Sequence, residues 1–432
     1  MVGIQGRYPL FLKWAKIFLL RNRGKEQVNC PNHETKPSSM KTIHKVTLAL
    51  ALFAAQPSQA FQSSEEKPQP GKASPNFNPF STDFTSLDTV DIQFSLVPLV
   101  GTNGTHSGNV VNRTSFNLLG GYSAGTEAFE IASLFNINRG NMNGVQVAGL
   151  FNQVGQKVDG VQLAGLFNSN LDSVQGVQLA GLANFSTGAV KGVQISGLAN
   201  FSPKSVEGVQ IAGLLNFSAA QVKGSQISAG LNFSPKGVQG SQVGLVNFGG
   251  KVEGFQLGLL NIADSVSGIP VGLLTFIRSG YYTLELGATE TLPFNLSLRT
   301  GKREFYSMVF AGIRPETDPQ VAWAFGYGVG TAPRLTNSLF LNIEVSSEQM
   351  SKGNVEALNL INRFYVGAEW QATRRFAMYA GPTINFRVYD TDFDNHPDLF
   401  TYTYPTIHNQ KYYPENIGSQ LWWGFKAGFR FF

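Results

Sequence analysis

The chain has 432 residues, of which 14% are charged and 47 are glycine, and its formal net charge is +5. Ordinary soluble domains hold roughly a quarter charged residues, so this composition speaks against a typical cytosolic enzyme and for repetitive β-structure or a membrane barrel. The positive charge is local: residues 1–60 hold nine Lys/Arg against two Glu, while the remainder holds 24 against 26 and leaves no basic footprint for nucleic acid.

Residues 1–39 read as an upstream extension before the functional start. Met40 opens a secretory signal over residues 40–60. Lys41, His44 and Lys45 form its basic end, Val46–Ala55 its apolar core, and Ser58-Gln59-Ala60 its small-residue cleavage site. Ten apolar residues are too few for a transmembrane helix, which needs about twenty. The only cysteine, Cys30, falls before this core, so the mature chain would hold neither a disulfide nor a cysteine-based metal site. Residues 61–84 are rich in Ser, Pro, Glu and Lys and read as a disordered linker.

Over residues 85–127 the pattern becomes alternating. Val90, Ile92, Phe94 and Leu96 oppose Asp91, Gln93 and Ser95, then Gly101–Gly108 turns the chain into Phe116, Leu118 and Tyr122. This is period 2, and these read as the first barrel-type strands.

Residues 128–277 are a repeat. Its clearest copies are Gly160-Val-Gln-Leu-Ala-Gly-Leu-Phe-Asn168, Gly176-Val-Gln-Leu-Ala-Gly-Leu-Ala-Asn184 and Gly208-Val-Gln-Ile-Ala-Gly-Leu-Leu-Asn216. The opening glycines recur every sixteen residues from Gly144 to Gly240, then every fourteen at Gly254 and Gly268. Two architectures accommodate such a unit: a parallel solenoid with one coil per copy, or a large barrel with one strand per copy. Three features favour the solenoid. The loops share one length and chemistry, whereas membrane barrels alternate short turns with long loops. The recurring polar positions are uncharged amides, Gln162, Gln178, Gln194, Gln210 and Asn168, Asn184, Asn200, Asn216, which can stack as a hydrogen-bonded ladder. The residues before the glycines include Lys191, Glu207 and Lys223, which alternate in sign as in-register neighbours prefer. Ten coils at the spacing of a sheet would reach on the order of 48 Å.

Residues 278–432 return to alternation in eight longer segments. Examples are Leu284 and Leu286 against Glu285, Leu296 and Leu298 against Arg299, and Trp423, Phe425, Phe429 and Phe431 against Lys426 and Arg430. Strand length, dyad pattern and flanking aromatics match an outer-membrane barrel. The chain ends Gly428-Phe-Arg-Phe-Phe432, where the doubled Phe shifts the alternation by one place. The expected fold is therefore all-β, a solenoid of 14–16-residue repeats combined with an antiparallel outer-membrane-type barrel.

The strings Phe94-Ser-Leu-Val-Pro-Leu-Val-Gly-Thr-Asn-Gly104, Ser115-Phe-Asn-Leu-Leu-Gly-Gly-Tyr122 and Gly268-Ile-Pro-Val-Gly-Leu-Leu-Thr-Phe276, with the repeats between them, resemble the surface-repeat-containing proteins of diderm bacteria. That resemblance implies an outer-membrane or surface location and carries no reaction or catalytic residues to transfer.

Candidate chemistry is sparse. His106, His396 and His408 have no catalytic or metal-like neighbours in sequence and read as loop histidines. Asp390, Asp392 and Asp394 start like a calcium loop but lack its glycine and distal glutamate. The Asn-Phe-Ser tripeptides at Asn184, Asn200, Asn216 and Asn232 recur with the repeat and read as structural turns rather than glycosylation sites. The expectation is a non-enzymatic outer-membrane or surface protein without cofactor or metal. Its barrel would contact outer-membrane lipid, and its repeats would display a regular amide-lined surface for adhesion or for an extracellular protein or glycan partner. The alternative expectation is a pore that counts the repeats among its barrel strands.

Overall fold

Each repeat folds as one coil. A seven-residue strand such as Val190–Ser196 meets a corner at Gly197-Leu198, a four-residue strand Ala199–Ser202 follows, and Pro203–Ser205 returns to the next coil. The computed structural model describes residues 87–315, 321–353, 357–391, 406–412 and 416–432. The upstream extension, signal peptide and linker lie outside the described residues.

Coils stack in parallel and in register: Lys191 pairs with Glu207, Gly192 with Gly208, Gln194 with Gln210 and Asn200 with Asn216. The repeats are therefore solenoid coils, and the large-barrel alternative for them is overturned by their parallel pairing. The 85–127 segment also needs correction. Asp88–Val97 pairs in parallel with Val110–Asn117, which pairs in parallel with Gly125–Ala132, so both strands begin the solenoid rather than the barrel. Period-2 alternation is common to both architectures and does not separate them. The Gly101–Gly108 segment folds Val100–Gly101 back antiparallel on Asp88–Val97 and then forms a short 3-10 turn over Gly104–Asn109, covering part of the stack's first edge.

The opening glycine of each coil is a geometric requirement. Gly192 has φ +132°, in the left-handed region, and a Cβ there would stand 2.0 Å from the carbonyl oxygen of Gly176 one coil below. The same closeness recurs at Gly160, Gly176, Gly208, Gly224 and Gly240. Two residues earlier in each coil a valine points inward, and Val158, Val174, Val190, Val206, Val222, Val238 and Val252 form one buried apolar column.

Residues 281–431 form a closed barrel of eight antiparallel strands. They are Tyr281–Thr289, Phe294–Lys302, Phe305–Arg314, Ala322–Thr331, Leu339–Lys352, Asn359–Thr373, Phe376–Asp390 and Ile417–Phe431. The first closes on the last through Leu284 opposite Phe431 and Ala288 opposite Ala427. An accessory strand, Thr406–Tyr412, pairs with the start of the last strand beyond the reach of the first. The doubled terminal Phe is accounted for here. Phe431 keeps the outward position opposite Leu284, while Phe432 packs its ring 5.9 Å from Tyr281 at the barrel's end.

The solenoid ends on the outside of the barrel wall. Its last strand, Pro270–Ile277, pairs with Phe255–Val266 along one edge. At the barrel, the Thr275 amide donates to Thr300 Oγ1 at 2.9 Å and the Tyr327 hydroxyl donates to the Gly272 carbonyl at 3.1 Å. Thr300 and Ser307 share their outward rows with exposed Leu298 and Ala311, yet both are buried. Barrel hydroxyls thus satisfy backbone groups that a terminal strand leaves unpaired.

Gly192→Ala is expected to destabilise the solenoid by roughly 2–4 kcal/mol, from backbone strain plus overpacking. Denaturant unfolding followed by circular dichroism tests it, with Lys204→Ala in the exposed loop as control. Equal midpoints for the two variants would refute the close-approach account.

Candidate functional site

The polar residues that the repeat singles out lie inside the coil. Gln162, Gln178, Gln194, Gln210 and Asn168, Asn184, Asn200, Asn216 are all fully buried. Gln178 Nε2 donates to Gln162 Oε1 at 2.7 Å, Gln194 to Gln178 at 2.7 Å, and Gln210 to Gln194 at 2.8 Å. The asparagines run the other way: Asn168 Nδ2 donates to Asn184 Oδ1 at 2.9 Å, Asn184 to Asn200 at 2.9 Å, and Asn200 to Asn216 at 3.0 Å. Each of these asparagines also donates to a backbone carbonyl of the next coil, as Asn184 does to Ile195 at 2.8 Å, just before the corner interrupts the sheet. The ladder exists, but it is internal. An amide-lined outer surface is therefore excluded, and the Asn-Phe-Ser tripeptides keep their asparagines out of solvent.

Two ladder ends are informative. At the N-terminal end the Gln position is occupied by Glu130, whose carboxylate accepts from Gln146 Nε2 at 2.9 Å, Thr126 Oγ1 at 2.9 Å and Asn117 Nδ2 at 3.2 Å. At the foot of the column its oxygen accepts the Gln146 amide hydrogen, and every glutamine above donates in the same direction. Burial raises the Glu130 pKa above the usual carboxyl range, against the lowering effect of these hydrogen bonds. At the other end Gln256 Oε1 is left without a hydrogen-bond partner, because the residue stacked on Gln256 is Pro270, whose side chain has no amide to donate.

The coil exterior is divided. On the corner side the outward residues are apolar. Leu150, Leu166, Leu182, Leu198 and Leu214 and, past a coil with Gly230 at its corner, Leu245 and Leu259 occupy the corner at 38–60% exposure. Phe201, Phe217, Phe233 and Phe248 stack beside them at centroid spacings of 4.5–5.4 Å. Charges sit on the opposite, loop side, where Glu207 lies 3.6 Å from Lys191 and 3.5 Å from Lys223, as the alternating signs required. These pairs are exposed and contribute only about 0.2–1 kcal/mol each.

The barrel has the same inverted character. Leu284, Leu296, Phe364, Phe386, Trp423 and Phe425 face outward and are exposed. Inside, Arg430 bonds Glu285 at 2.8 Å and Glu344 at 3.2 Å and also pairs with Glu369. Arg299 reaches Glu344 at 2.9 Å, and Lys426 bridges Glu344 at 2.9 Å and Glu285 at 3.3 Å. Tyr306 donates to Glu344 at 2.9 Å, and Arg430 lies 4.2 Å from the centre of the Tyr379 ring. Towards the other end Arg363 pairs with Glu348 at 3.0 Å and donates to Asn385 at 2.9 Å. Eight strands leave room for little more than these side chains. Alternation alone marked Glu285, Arg299, Lys426 and Arg430 as facing away from the apolar side, but their convergence is set by barrel closure.

His106 lies exposed in the turn at the start of the solenoid and His408 exposed on the barrel's accessory strand. Asp390 ends a barrel strand, while His396, Asp392 and Asp394 lie outside the described residues. Among the described residues no group of three or more His, Cys, Asp or Glu is placed to hold a metal ion. No protein-family model, curated protein or solved structure matches this chain.

Two outcomes are expected. Because the Glu130 pKa is raised on folding, its contribution is complete below the usual carboxyl pKa of about 4.3 and is lost as pH rises through the raised value. Hydrogen exchange of the first coils should show protection falling over that window, and E130Q should flatten the dependence. A slope unchanged in E130Q would remove Glu130 as its source. Arg430→Met removes the one cation that touches all three carboxylates, leaving Arg299 and Lys426 on Glu285 and Glu344 and Arg303 on Glu369, and is expected to destabilise the barrel by at most about 3–5 kcal/mol. A urea midpoint unchanged from that of the parent chain would contradict the network.

Proposed function

We propose that the chain is a non-enzymatic outer-membrane protein in which a filled eight-stranded barrel anchors the solenoid at the membrane. The observation that carries this reading is the barrel's inversion, with its ions inside and an exposed belt of Leu, Phe and Trp outside. A soluble barrel would lose its apolar belt to aggregation, whereas a bilayer solvates it. The alternating signature and the exported N-terminus expected from sequence fit the same picture, as does the resemblance to surface-repeat proteins.

Loop lengths orient the barrel. Arg303-Glu304 and Arg374-Arg375 are two-residue turns, and they lie at the end that also holds Gly280 and Phe432. The same end also carries the connection over residues 332–338, while the opposite end carries those over residues 290–293, 315–321 and 353–358 and, over residues 391–416, by far the longest. Outer-membrane barrels place short turns in the periplasm. The solenoid enters the barrel at this short-turn end through Arg278-Ser279-Gly280, so we place it on the periplasmic side rather than on the outer surface. The side it offers a partner is then the loop edge with its Lys and Glu rows, in place of an amide-lined face. The packed ion network argues for an anchor rather than a pore.

The barrel reading predicts heat-modifiable gel mobility and no conductance above background in planar bilayers. The orientation predicts that protease cuts the repeats only after the outer membrane is opened. Cleavage in intact cells would reverse the orientation, and steady conductance would restore the pore.

A further inference from the structure

The solenoid's outer surface poses a problem that the anchor reading leaves open, because it exposes far more grease than a water-facing coil tolerates. From Gly144 to Gly249 no charged residue occurs between an opening glycine and the asparagine of its coil. The charges of these coils, such as Lys157, Asp172, Lys191, Lys204, Glu207 and Lys223, all lie on the loop side. The corner is a row of leucines broken once, at Gly230 between Leu214 and Leu245, and flanked by Leu179, Ile211 and Ile227 on one side and by the phenylalanine stack on the other.

We propose that this leucine-edged corner is a lipid-contacting keel, buried in the acyl region of the bilayer leaflet beside the barrel, with the charged loop edge facing water. The proposal rests on the barrel being membrane-embedded. Three observations select phospholipid over another occupant. First, the keel is continuous with the barrel's own apolar wall. Phe276 of the last coil stacks at 6.2 Å on Tyr282, and the outward row continues up the barrel through exposed Leu284 and Leu286. Second, the contact points incline the corner towards the middle of the barrel. Thr275 is held at Thr300, which pairs with Ser307 near the short turn; Gly272, beside corner residue Leu273, is held by Tyr327, which pairs with Val309 one dyad further up. Third, the split between a charge-free corner and a charged loop edge is the pattern of elements that insert about 5–10 Å into a membrane interface. The buried amide ladders fit as well, since the Gln and Asn side chains of these coils are turned inward, and the polar side chains left at outward positions between glycine and asparagine are the uncharged Ser225 and Ser241.

The test uses the full chain with Cys30→Ser, labelled with an environment-sensitive fluorophore at single cysteines and reconstituted in phosphatidylcholine–phosphatidylglycerol vesicles. Labels go at Leu166→Cys and Leu198→Cys on the keel, Lys204→Cys on the loop edge and Leu296→Cys on the barrel wall. Brominated acyl chains should quench both keel labels and the wall label several-fold more than the loop label, and aqueous iodide should show the reverse order. Quenching of the wall label by lipid, with keel labels open to iodide, would overturn the keel and leave the barrel reading intact. A wall label that lipid does not quench would sink the barrel reading, and the keel with it. Keel labels shielded from both quenchers would assign the face to a protein neighbour and equally overturn the proposal.

Discussion

An amide side chain shut away from water must find partners for both its oxygen and its nitrogen, or cost on the order of 1–3 kcal/mol for each orphaned group. In this chain Gln178 meets that demand mainly through its own equivalents one coil below and one coil above, Gln162 and Gln194. Much of the solenoid follows from this constraint. What must be kept is the face each amide takes within its strand: the ladders run on through the shortened coils, where Asn232 still bonds Asn247 and Gln256 still bonds Gln242, because the missing residues come out of corner and loop. The glycines must stay bare so that coils approach to ladder distance. The valine column and the alternating Lys191–Glu207–Lys223 row add packing and a weak register preference to a stack whose spacing the amides demand.

The barrel solves a related problem with charges. Arg430, Arg299 and Lys426 share Glu285, Glu344 and Glu369 in a site from which water is excluded. Desolvating such ions is costly, and networks of this kind are better evidence of specificity than of net stability. Here they fill a space that eight strands leave too narrow for a channel and too polar for leucine. Both halves of the molecule thus bury polar groups and expose apolar ones, the barrel throughout and the solenoid along its corner, while a valine column keeps part of the coil's interior apolar.

Much of this was legible in the residues. The opening glycines announced the coils, the uncharged Gln and Asn positions announced the ladder, and the sign alternation beside Gly192 and Gly208 announced the parallel register. Alternation also marked all eight barrel strands. It failed at Asp88–Val97 and Val110–Asn117, because period 2 says which way side chains point and nothing about whether the neighbouring strand runs parallel. It also misjudged which side of the coil is interior, expecting the amides on the displayed surface. Gln and Asn are usually turned to water, and only the closed coil reveals that Leu198 is the exposed residue and Gln194 the hidden one. Glu130 was readable as a glutamate in a glutamine column. The seat of Pro270–Ile277 on Thr300 and Tyr327 was not, since it joins residues far apart in sequence through two hydroxyls.

The opposed directions of the two ladders have a consequence for how such a molecule can vary. Glutamine donors point towards the first coil and asparagine donors towards the last, so the dipoles of the two columns oppose and nearly cancel within every coil. A single column would accumulate polarisation with height and would need stronger charges at its ends as it grew. With two opposed columns, a gene duplication or deletion that inserts or removes one whole coil leaves the electrical balance of the remainder unchanged. Length is then a quantity that evolution can adjust by unequal crossing-over, one coil at a time, between an acidic stop at Glu130 and a proline stop at Pro270.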